Sequence, residues 1–283
     1  MVVFPNCKIN LGLYIGDKRS DGFHNLATIF YPVPLKDALE IIRQTTPSAE
    51  DVQFTQSGQQ IQGPLSANLC VKAYELLKKQ YPHLPSIKMH LHKAIPMGAG
   101  LGGGSADGAF TLQLLNQLFN LQLTTNQLAS LALQLGSDCP FFIINQPCLA
   151  TGRGEQMQPL QLDLSGYQLI IINPGIHINT GRAFAELAQH TERSLQAMPN
   201  TATLKALCTT PPNRWKNQLL NHFELPVFEA YPPIEALKNL LYQHGADYAA
   251  MSGTGSTVFG LFKKHTNIPG GLTAGYYTHS LIL

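Results

Sequence analysis

Charged residues are scarce in this chain, and this limits the partners that it can bind. Only 13% of its 283 residues are Asp, Glu, Lys or Arg, and the formal net charge is +2. Proteins that bind nucleic acid or an anionic membrane usually have clustered Lys and Arg residues. We therefore expect neither a nucleic acid nor a membrane as partner, and a small molecule is the expected ligand.

Cysteine pairs and long apolar runs are also missing. The five cysteines are odd in number and form no C-x-x-C pair, which favours reduced thiols in a cytoplasm. No apolar run reaches the length of about 18 residues typical of a membrane span, and the first predicted strand starts too early for a signal or transit peptide. We expect a bacterial cytoplasmic enzyme. With 44% hydrophobic residues, the chain can form one large domain or two moderate ones.

Glycine, in contrast, is concentrated in residues 96–105, whose sequence PMGAGLGGGS has five glycines in seven positions. The alternation over residues 87–95 predicts a strand before this loop, with Ile87, Met89, Leu91 and Ile95 on its buried side. Ala106, Phe110, Leu114 and Leu118 recur every four residues and predict a helix starting near Ser105. A glycine loop at a helix N-terminus can hold a phosphate group through backbone N–H groups alone.

Two common nucleotide motifs fit this loop poorly. The spacing of Gly98, Gly100 and Gly103 matches G-x-G-x-x-G, but the acidic residue needed about 20 positions later is absent between Asp107 and Asp138. The loop also approaches the P-loop pattern, but Gly104 stands where the lysine should be. The H-R-D signature of protein kinases is absent from the chain. A glycine-rich surface turn is the remaining local alternative.

The loop resembles the second motif of the GHMP small-molecule kinases, Pro-x3-Gly-Leu-Gly-(Gly/Ser)-Ser-Ser/Ala. Residues 5–13 (PNCKINLGL) are similar to the first motif of that family, and residues 251–260 (MSGTGSTVFG) are similar to the third. The resemblance therefore covers essentially the whole chain. It implies an α+β fold of two domains, a ribosomal-protein S5-like domain over residues 1–160 and a ferredoxin-like domain over residues 161–283.

A narrower resemblance is to the branch of this family that phosphorylates the methylerythritol part of a CDP-linked substrate, a step of the non-mevalonate route to isoprenoids. It depends on KINL at residues 8–11, RSDGFHNL at 19–26, GGGS at 102–105 and GSDCPF at 136–141. Two alternatives stay open: another GHMP kinase, such as one for homoserine or mevalonate, and a nucleotide-binding regulator that does not turn over. We expect a monomer or a weak homodimer.

The resemblance implies that Asp138 is the general base and that Lys8 keeps its carboxylate ionised and oriented. Strand alternation places Lys8 and Asn10 on one face, where Asn10 is a candidate substrate ligand. From local pattern alone, Asp138 could instead be a turn or capping residue, and Lys8 could be a solvated strand lysine.

The resemblance also implies a pyrimidine site. The aromatic ring of Phe23 would stack on cytosine, His24 would hydrogen-bond its edge, and Phe184 would be the second ring. Phe23 stands where tyrosine is usual, so it keeps the stacking face without a hydroxyl group. Locally, Asp21-Gly22 also fits an ordinary hairpin turn, and Phe184 also fits the core side of a helix.

ATP and Mg²⁺ are the expected cofactors. The candidate ATP-binding residues are Asn68, on the adenine side, and the glycine loop with its flanks: Pro96, Met97, Gly98, Ala99, Gly100, Leu101, Gly102, Gly103, Gly104, Ser105 and Ala106. Ser105 is the candidate Mg²⁺ contact, because it begins the helix beneath the phosphates. His90 and His92 have a spacing that can hold a metal, but no third ligand is nearby, so we expect them to lie with Lys88 on an exposed polar strand face.

The remaining patterns predict alternating strands and helices without an internal repeat. Helices are predicted at residues 68–79, 126–135, 180–187 and 234–244, and strands at 141–144, 167–172, 246–251 and 257–262.

Overall fold

The computed structural model describes residues 1–45, 50–61, 63–190, 197–264, 266 and 275–283. Within these ranges the chain forms twelve strands, eight α-helices and two short 3₁₀ turns. The strands are β1 (Val2–Val3), β2 (Asn6–Lys18), β3 (His24–Lys36), β4 (Ala38–Arg43), β5 (Val52–Gly58), β6 (Ile87–Lys93), β7 (Cys148–Thr151), β8 (Gln156–Pro159), β9 (Tyr167–Asn173), β10 (Tyr248–Met251), β11 (Val258–Lys263) and β12 (Tyr277–Ile282). The helices are α1 (Leu69–Gln80), α2 (Gly103–Leu118), α3 (Thr125–Leu135), α4 (Cys139–Ile144), α5 (Thr180–His190), α6 (Thr201–Cys208), α7 (Glu224–Ala230) and α8 (Pro232–Gln243).

Most of the helices predicted from periodicity are confirmed. Capping hydrogen bonds at the starts of α1 and α3 stabilise these helices in addition to the apolar periodicity. The Asn68 side chain caps α1 by accepting a hydrogen bond from the Cys70 N–H at 2.9 Å. Thr124 and Gln127 form a reciprocal capping box at the start of α3, and this helix ends at Gly136 as predicted. The helix after the glycine loop begins at Gly103, two residues earlier than the apolar periodicity indicated.

The strand predicted at residues 141–144 is wrong, because this segment is part of helix α4. Four apolar residues are too few to separate a strand from one buried helical turn by periodicity. Pro140 lies in the first turn of α4, where its fixed φ angle and missing N–H favour a helix start. Asn145 ends the helix in the left-handed region with φ of 51°.

Packing divides the chain into two compact units. The first contains Met1–Cys7, Pro34–Met97 and Gly102–Gln146. Its sheet has the order β1-β4-β6-β5, in which β5 and β6 are parallel and the other pairs are antiparallel. Helix α2 packs against α1, α3, α4 and β4, and its buried Ala106 and Leu114 confirm the predicted apolar side in part.

The second unit contains Lys8–Val33, Gly98–Leu101 and Pro147–Leu283. It holds most of the β2-β3-β7-β8 sheet and an antiparallel sheet of order β10-β11-β9-β12. Its core is apolar and includes Ile172, Leu241, Met251 and Phe262, all of which are fully buried. The assignment of domains to residues 1–160 and 161–283 stays a prediction.

Among the described residues, none of the helices combines the length and apolar character needed to cross a bilayer.

Candidate active site

The first half of the glycine loop belongs to the second unit and depends on glycine for its path. Gly98 and Gly100 adopt φ angles of 61° and 78°, in the left-handed region that glycine favours. A Cβ atom on Gly100 would lie 1.9 Å from the Ser252 carbonyl oxygen. The two backbone segments can therefore approach this closely only because residue 100 has no side chain. Ala99 and Leu101 are buried, which argues against a solvated surface turn.

Segments of the three motifs, distant in the sequence, meet around Gly100. The Lys8 N–H donates to the Leu101 carbonyl at 2.9 Å, and Lys8 Nζ donates to the Gly100 carbonyl at 3.2 Å. Ser252 Oγ donates to the same Gly100 carbonyl at 2.9 Å and accepts a hydrogen bond from the Asn10 N–H at 3.3 Å. The junction therefore links residues 8–10, 100–101 and 252.

Lys8 is buried in this junction. Only 3% of its surface is exposed, and its Nζ donates to Asn10 Oδ1 at 2.5 Å and lies 5.1 Å from the centroid of the Phe30 ring. Asn10 in turn donates to Thr28 Oγ1 at 2.9 Å. The alternative of a solvated strand lysine is wrong, because both sides of β2 are buried at this point. Burial of an ammonium group is costly unless it is hydrogen-bonded, and here the Asn10 side chain and the Gly100 carbonyl provide the acceptors.

The second half of the loop forms the N-terminus of α2 in the first unit. Gly102 is the N-cap residue in the left-handed conformation with φ of 70°, and no side chain of the described residues caps the helix. A Cβ atom on Gly103 would lie 2.9 Å from Ile95 Cγ2, whereas one on Gly104 would meet no atom of the described residues within 4 Å. The helix thus presents uncapped N–H groups beside open space, which is the arrangement that binds anions.

A cavity of about 430 Å³ lies beside this helix end, within the first unit. Asn68, Met97 and Gly104 line it, together with Phe54 of β5 and Asp107 of α2. The cavity places Asn68 on the same concave surface as the loop, and its lining is mainly apolar. Its size and lining suit a nucleobase.

An ion triad beneath the loop could not be found from the sequence. Lys93 Nζ donates to Asp37 Oδ2 and, at 2.7 Å, to Asp107 Oδ2. All three side chains are buried, and Asp37 Oδ1 also accepts from the N–H groups of Ala94 and Ile95. Burial raises the pKa of Asp107 to about 7, although the Lys93 charge opposes this shift. The other oxygen, Asp107 Oδ1, has no hydrogen-bond partner in the part of the chain that the structure describes.

Asp138 lies at the N-cap position of α4 in the first unit, with φ of −84° and ψ of −15°. Its carboxylate does not cap the helix, so the structure gives no support to a capping role. The next residue, Cys139, is fully buried, and burial raises the pKa of its thiol to about 12, with a hydrogen bond to Ser105 opposing the shift. The pairing of Asp138 with Lys8 stays a prediction.

The hairpin between β2 and β3, in the second unit, holds the predicted pyrimidine residues. Its turn has Gly22 at φ of 86°, as the Asp21-Gly22 pattern indicated. The His24 ring stacks on Phe184 with a centroid distance of 5.5 Å and an interplanar angle of 26°. Phe184 also meets the buried Phe223 edge-on at 4.9 Å, so it takes part in the helix core as well. Phe23 is 50% exposed.

His90 and His92 are held by neighbouring hydroxyl groups on their sheet. Ser57 Oγ lies 2.9 Å from His90 Nε2 and 2.9 Å from His92 Nδ1, and Thr55 Oγ1 lies 2.8 Å from His90 Nδ1. In the described part of the chain, no group of three or more His, Cys, Asp or Glu side chains could hold a metal ion.

Two family models match the chain. The model of the GHMP kinases N terminal domain matches residues 68–146, and the model of the GHMP kinases C terminal domain matches residues 203–269. The chain is also 48% identical, over 95% of its length and 94% of the relative, to a 4-diphosphocytidyl-2-C-methyl-D-erythritol kinase of Bacteroides fragilis. It is 49% identical to the kinase of the same name from Cytophaga hutchinsonii, over 93% of this chain and 92% of the relative.

The chain belongs to this family of GHMP kinases. The family resemblance drawn from the three motifs is thereby confirmed.

Solved structures agree with the assignment to the GHMP kinases. A crystal structure of 4-(cytidine 5'-diphospho)-2C-methyl-D-erythritol kinase matches with a TM-score of 0.74 and 31% identity, covering 92% of this chain and 90% of that chain. The mevalonate kinase of Methanococcus jannaschii also has a TM-score of 0.74, but at 12% identity, covering 100% of this chain and 98% of that chain. The second likeness shows the shared fold alone.

Proposed function

We propose that this protein transfers the γ-phosphoryl group of ATP to the 2-hydroxyl of 4-(cytidine 5'-diphospho)-2-C-methyl-D-erythritol, in the non-mevalonate synthesis of isoprenoid precursors. The names of its relatives support this substrate. The single observation that supports the chemistry best is the junction of Lys8, Asn10, Gly100 and Ser252, which joins segments of three motifs around one buried ammonium group.

ATP would bind at the start of α2. The uncapped N–H groups at Gly103 and Gly104 would hold its phosphates, and the cavity lined by Asn68 and Met97 would hold the adenine. Mg²⁺ bound to the phosphates would neutralise charge on the transferred group. The Ser105 hydroxyl group would be the protein ligand of this ion. A magnesium ion held mainly by phosphates and water needs few protein ligands.

For the chemical step, Asp138 would accept the proton of the attacking hydroxyl, and Lys8 would stabilise the ionised carboxylate and negative charge on the phosphoryl group. Asn10 accepts a hydrogen bond from Lys8 and so holds the ammonium in one position. A fixed cation at the reacting centre stabilises the transition state without reorganisation during the reaction.

His24 would select cytosine through its tautomer. The His24 Nδ1 lies 3.1 Å from the Gly16 carbonyl, an acceptor, so Nδ1 has the proton. In the neutral ring Nε2 then has a lone pair and accepts a hydrogen bond. Cytosine presents an amino group that donates, whereas uracil presents a carbonyl oxygen that would be repelled. Phe23 and Phe184 would provide the stacking faces.

The finer fold labels belong to the same proposal. In the second unit the sheet order β10-β11-β9-β12 follows the 2-3-1-4 pattern of a ferredoxin-like domain, since β9 is the first of its four strands along the chain. This order supports the ferredoxin-like label for the C-terminal part. The S5-like label for the N-terminal part is proposed from the family resemblance.

A substrate panel tests the function directly. The protein is incubated with ATP and Mg²⁺ together with the CDP-linked methylerythritol, its UDP analogue, mevalonate or homoserine, and ADP release is followed. We expect turnover with the CDP-linked substrate only. Turnover of mevalonate or homoserine would favour another GHMP kinase, and nucleotide binding without turnover of any acceptor would favour a regulator.

Asp138→Asn tests the proposed base. We expect turnover to fall by about 10²–10⁴-fold, the usual contribution of general base catalysis, while ATP affinity stays within twofold of the wild type. Asp163→Asn is the matched control, because Asp163 lies in an exposed loop and, among the described residues, hydrogen-bonds to Ser165. Unchanged turnover in Asp138→Asn would remove the base assignment.

A further inference from the structure

The guanidinium group of Arg153 covers one face of the exposed Phe23 ring. Its Cζ atom lies 4.6 Å from the ring centroid. We infer that Arg153 is a positioning residue of the pyrimidine site: it holds the Phe23 ring so that the opposite face can stack on cytosine. This inference rests on the proposed function, because it needs a pyrimidine ligand at Phe23.

The turn that presents Arg153 is tightly built. Arg153 lies between Gly152 and Gly154, whose φ angles of 71° and 105° are in the left-handed region that favours glycine. The Glu155 carboxylate accepts the Arg153 backbone N–H at 2.5 Å and would lie only 2.8 Å from a Cβ atom on Gly152. The Gly152 carbonyl accepts a hydrogen bond from the Leu26 N–H at 2.8 Å, which fixes the turn to β3 beside His24.

An acidic group near Arg153 is bound by another arginine, so the Arg153 guanidinium can stack on the Phe23 ring. Asp21, the nearby acid, is bound by Arg19 Nε at 3.1 and 3.2 Å. Burial is the largest single influence on the pKa of the Asp21 carboxyl group and raises it, but hydrogen bonds from the Phe23 N–H and from Arg19, with the charges of Arg19 and Arg153, together lower this pKa. Arg153 acts on Asp21 only through its charge. Within the described ranges, no carboxylate forms an ion pair with Arg153, and its guanidinium group lies over the Phe23 ring.

An exposed phenylalanine ring has little to fix its orientation, because it has no hydroxyl group to anchor it. A guanidinium stacked on one face restricts the ring and closes that face to other ligands. The base then meets an ordered ring, and less side-chain entropy is lost on binding. This contribution acts on the base and is independent of the phosphates attached to it.

Calorimetric titration with cytidine, CDP and a non-hydrolysable ATP analogue separates base from phosphate effects. Arg153→Met keeps most of the stem and removes the planar cation, and Arg153→Lys keeps the charge. Arg182→Met is the matched control, because Arg182 is an exposed arginine on α5 paired with Glu186 at 2.6 Å. We expect Arg153→Met to weaken cytidine and CDP by the same factor of about two to five, the range of an exposed cation–π contact.

Arg153→Lys should lose less affinity, and neither the ATP analogue nor Arg182→Met should show a change. In a Phe23→Leu background, Arg153→Met should have no further effect, because its action requires the ring. Loss of CDP affinity with unchanged cytidine affinity would assign Arg153 to the diphosphate instead, and would overturn the inference, as would unchanged affinity for both. Wild-type protein that binds neither ligand would overturn the pyrimidine site itself, and the inference with it.

Discussion

At the scale of single residues, the loop shows which glycines are required by structure and which by ligand access. Gly100 combines a φ of 78° with a backbone carbonyl 1.9 Å from where its Cβ would lie. Backbone atoms cannot move aside as a flexible side chain can. Gly104, by contrast, is helical, and a Cβ there would enter open space.

We therefore expect Gly100→Ala and Gly104→Ala to fail in different ways. Gly100→Ala should lower the free energy of unfolding by about 2 kcal/mol or more, from left-handed strain and the clash. Gly104→Ala should keep or slightly raise stability, because alanine favours a helix by about 1 kcal/mol over glycine, yet should raise the KM for ATP. Urea unfolding and steady-state kinetics measure the two effects, and equal stability losses would contradict this division.

At the scale of elements, the Asp37–Lys93–Asp107 triad joins the start of β4, the end of β6 and the first turns of α2. Asp37 also binds the two N–H groups that follow β6, directly before the glycine loop. Such a network holds its position only if its charges stay paired. Two carboxylates share one ammonium, so one of them is poorly compensated, and burial raises the pKa of Asp107 accordingly.

This arrangement predicts a definite pH dependence. Asp107 has an ordinary pKa of 3.8 and a folded pKa of about 7, so between these values the folded chain holds a proton that the unfolded chain has lost. Its contribution to stability is therefore largest at low pH and falls as pH rises toward 7. Asp107→Asn cannot ionise, so the wild type should lose stability relative to it between pH 5 and pH 7.

Urea unfolding of the two proteins at pH 5, 6, 7 and 8 provides the measurement. Asp163→Asn is the control, since hydrogen bonds from Ser165 lower the pKa of this exposed carboxyl group and remove its titration from that range. A constant difference between wild type and Asp107→Asn across the series would show that Asp107 does not titrate there.

At the scale of the whole molecule, all five cysteines are buried and none of them forms a disulfide bond. Burial raises the pKa values of the thiols of Cys139 and Cys148 to about 12 and that of Cys208 to about 11, and it also raises the pKa of Cys70. Thiolate is the reactive form. These thiols are therefore unreactive for two reasons: burial blocks reagents from reaching them, and their raised pKa values keep them protonated.

The test uses an aromatic disulfide that releases a yellow thiolate when it reacts with a cysteine thiol. We expect this reagent to label the native protein at pH 8 far more slowly than the protein in 8 M urea, where five thiols should react. The native labelling rate should follow the opening of the structure and should increase with urea. Rapid reaction of one thiol in the native protein would show a locally open segment.

Sequence reasoning was most successful where one local signal was enough. The glycine loop, the strand before it and the helices capped at Asn68 and closed at Gly136 follow from chain-local hydrogen bonding and periodicity. It failed at residues 141–144, where a short apolar run fits both a strand and a helix. Family motifs identified the branch of kinases because residue types at fixed spacing encode backbone conformations and charges that the chemistry needs.

The sequence by itself determined most of the predicted helices and strands, the motifs and the family, since each of these depends on residue types at short spacings along the chain. Only the tertiary structure decided that Lys8 is buried, that Ser252 bonds to the Gly100 carbonyl, and that Arg153 covers Phe23. These contacts join residues that are far apart in sequence, and which distant groups meet depends on how buried surfaces pack. No local pattern contains that information, because the same lysine or arginine is equally compatible with solvent until its surroundings are folded.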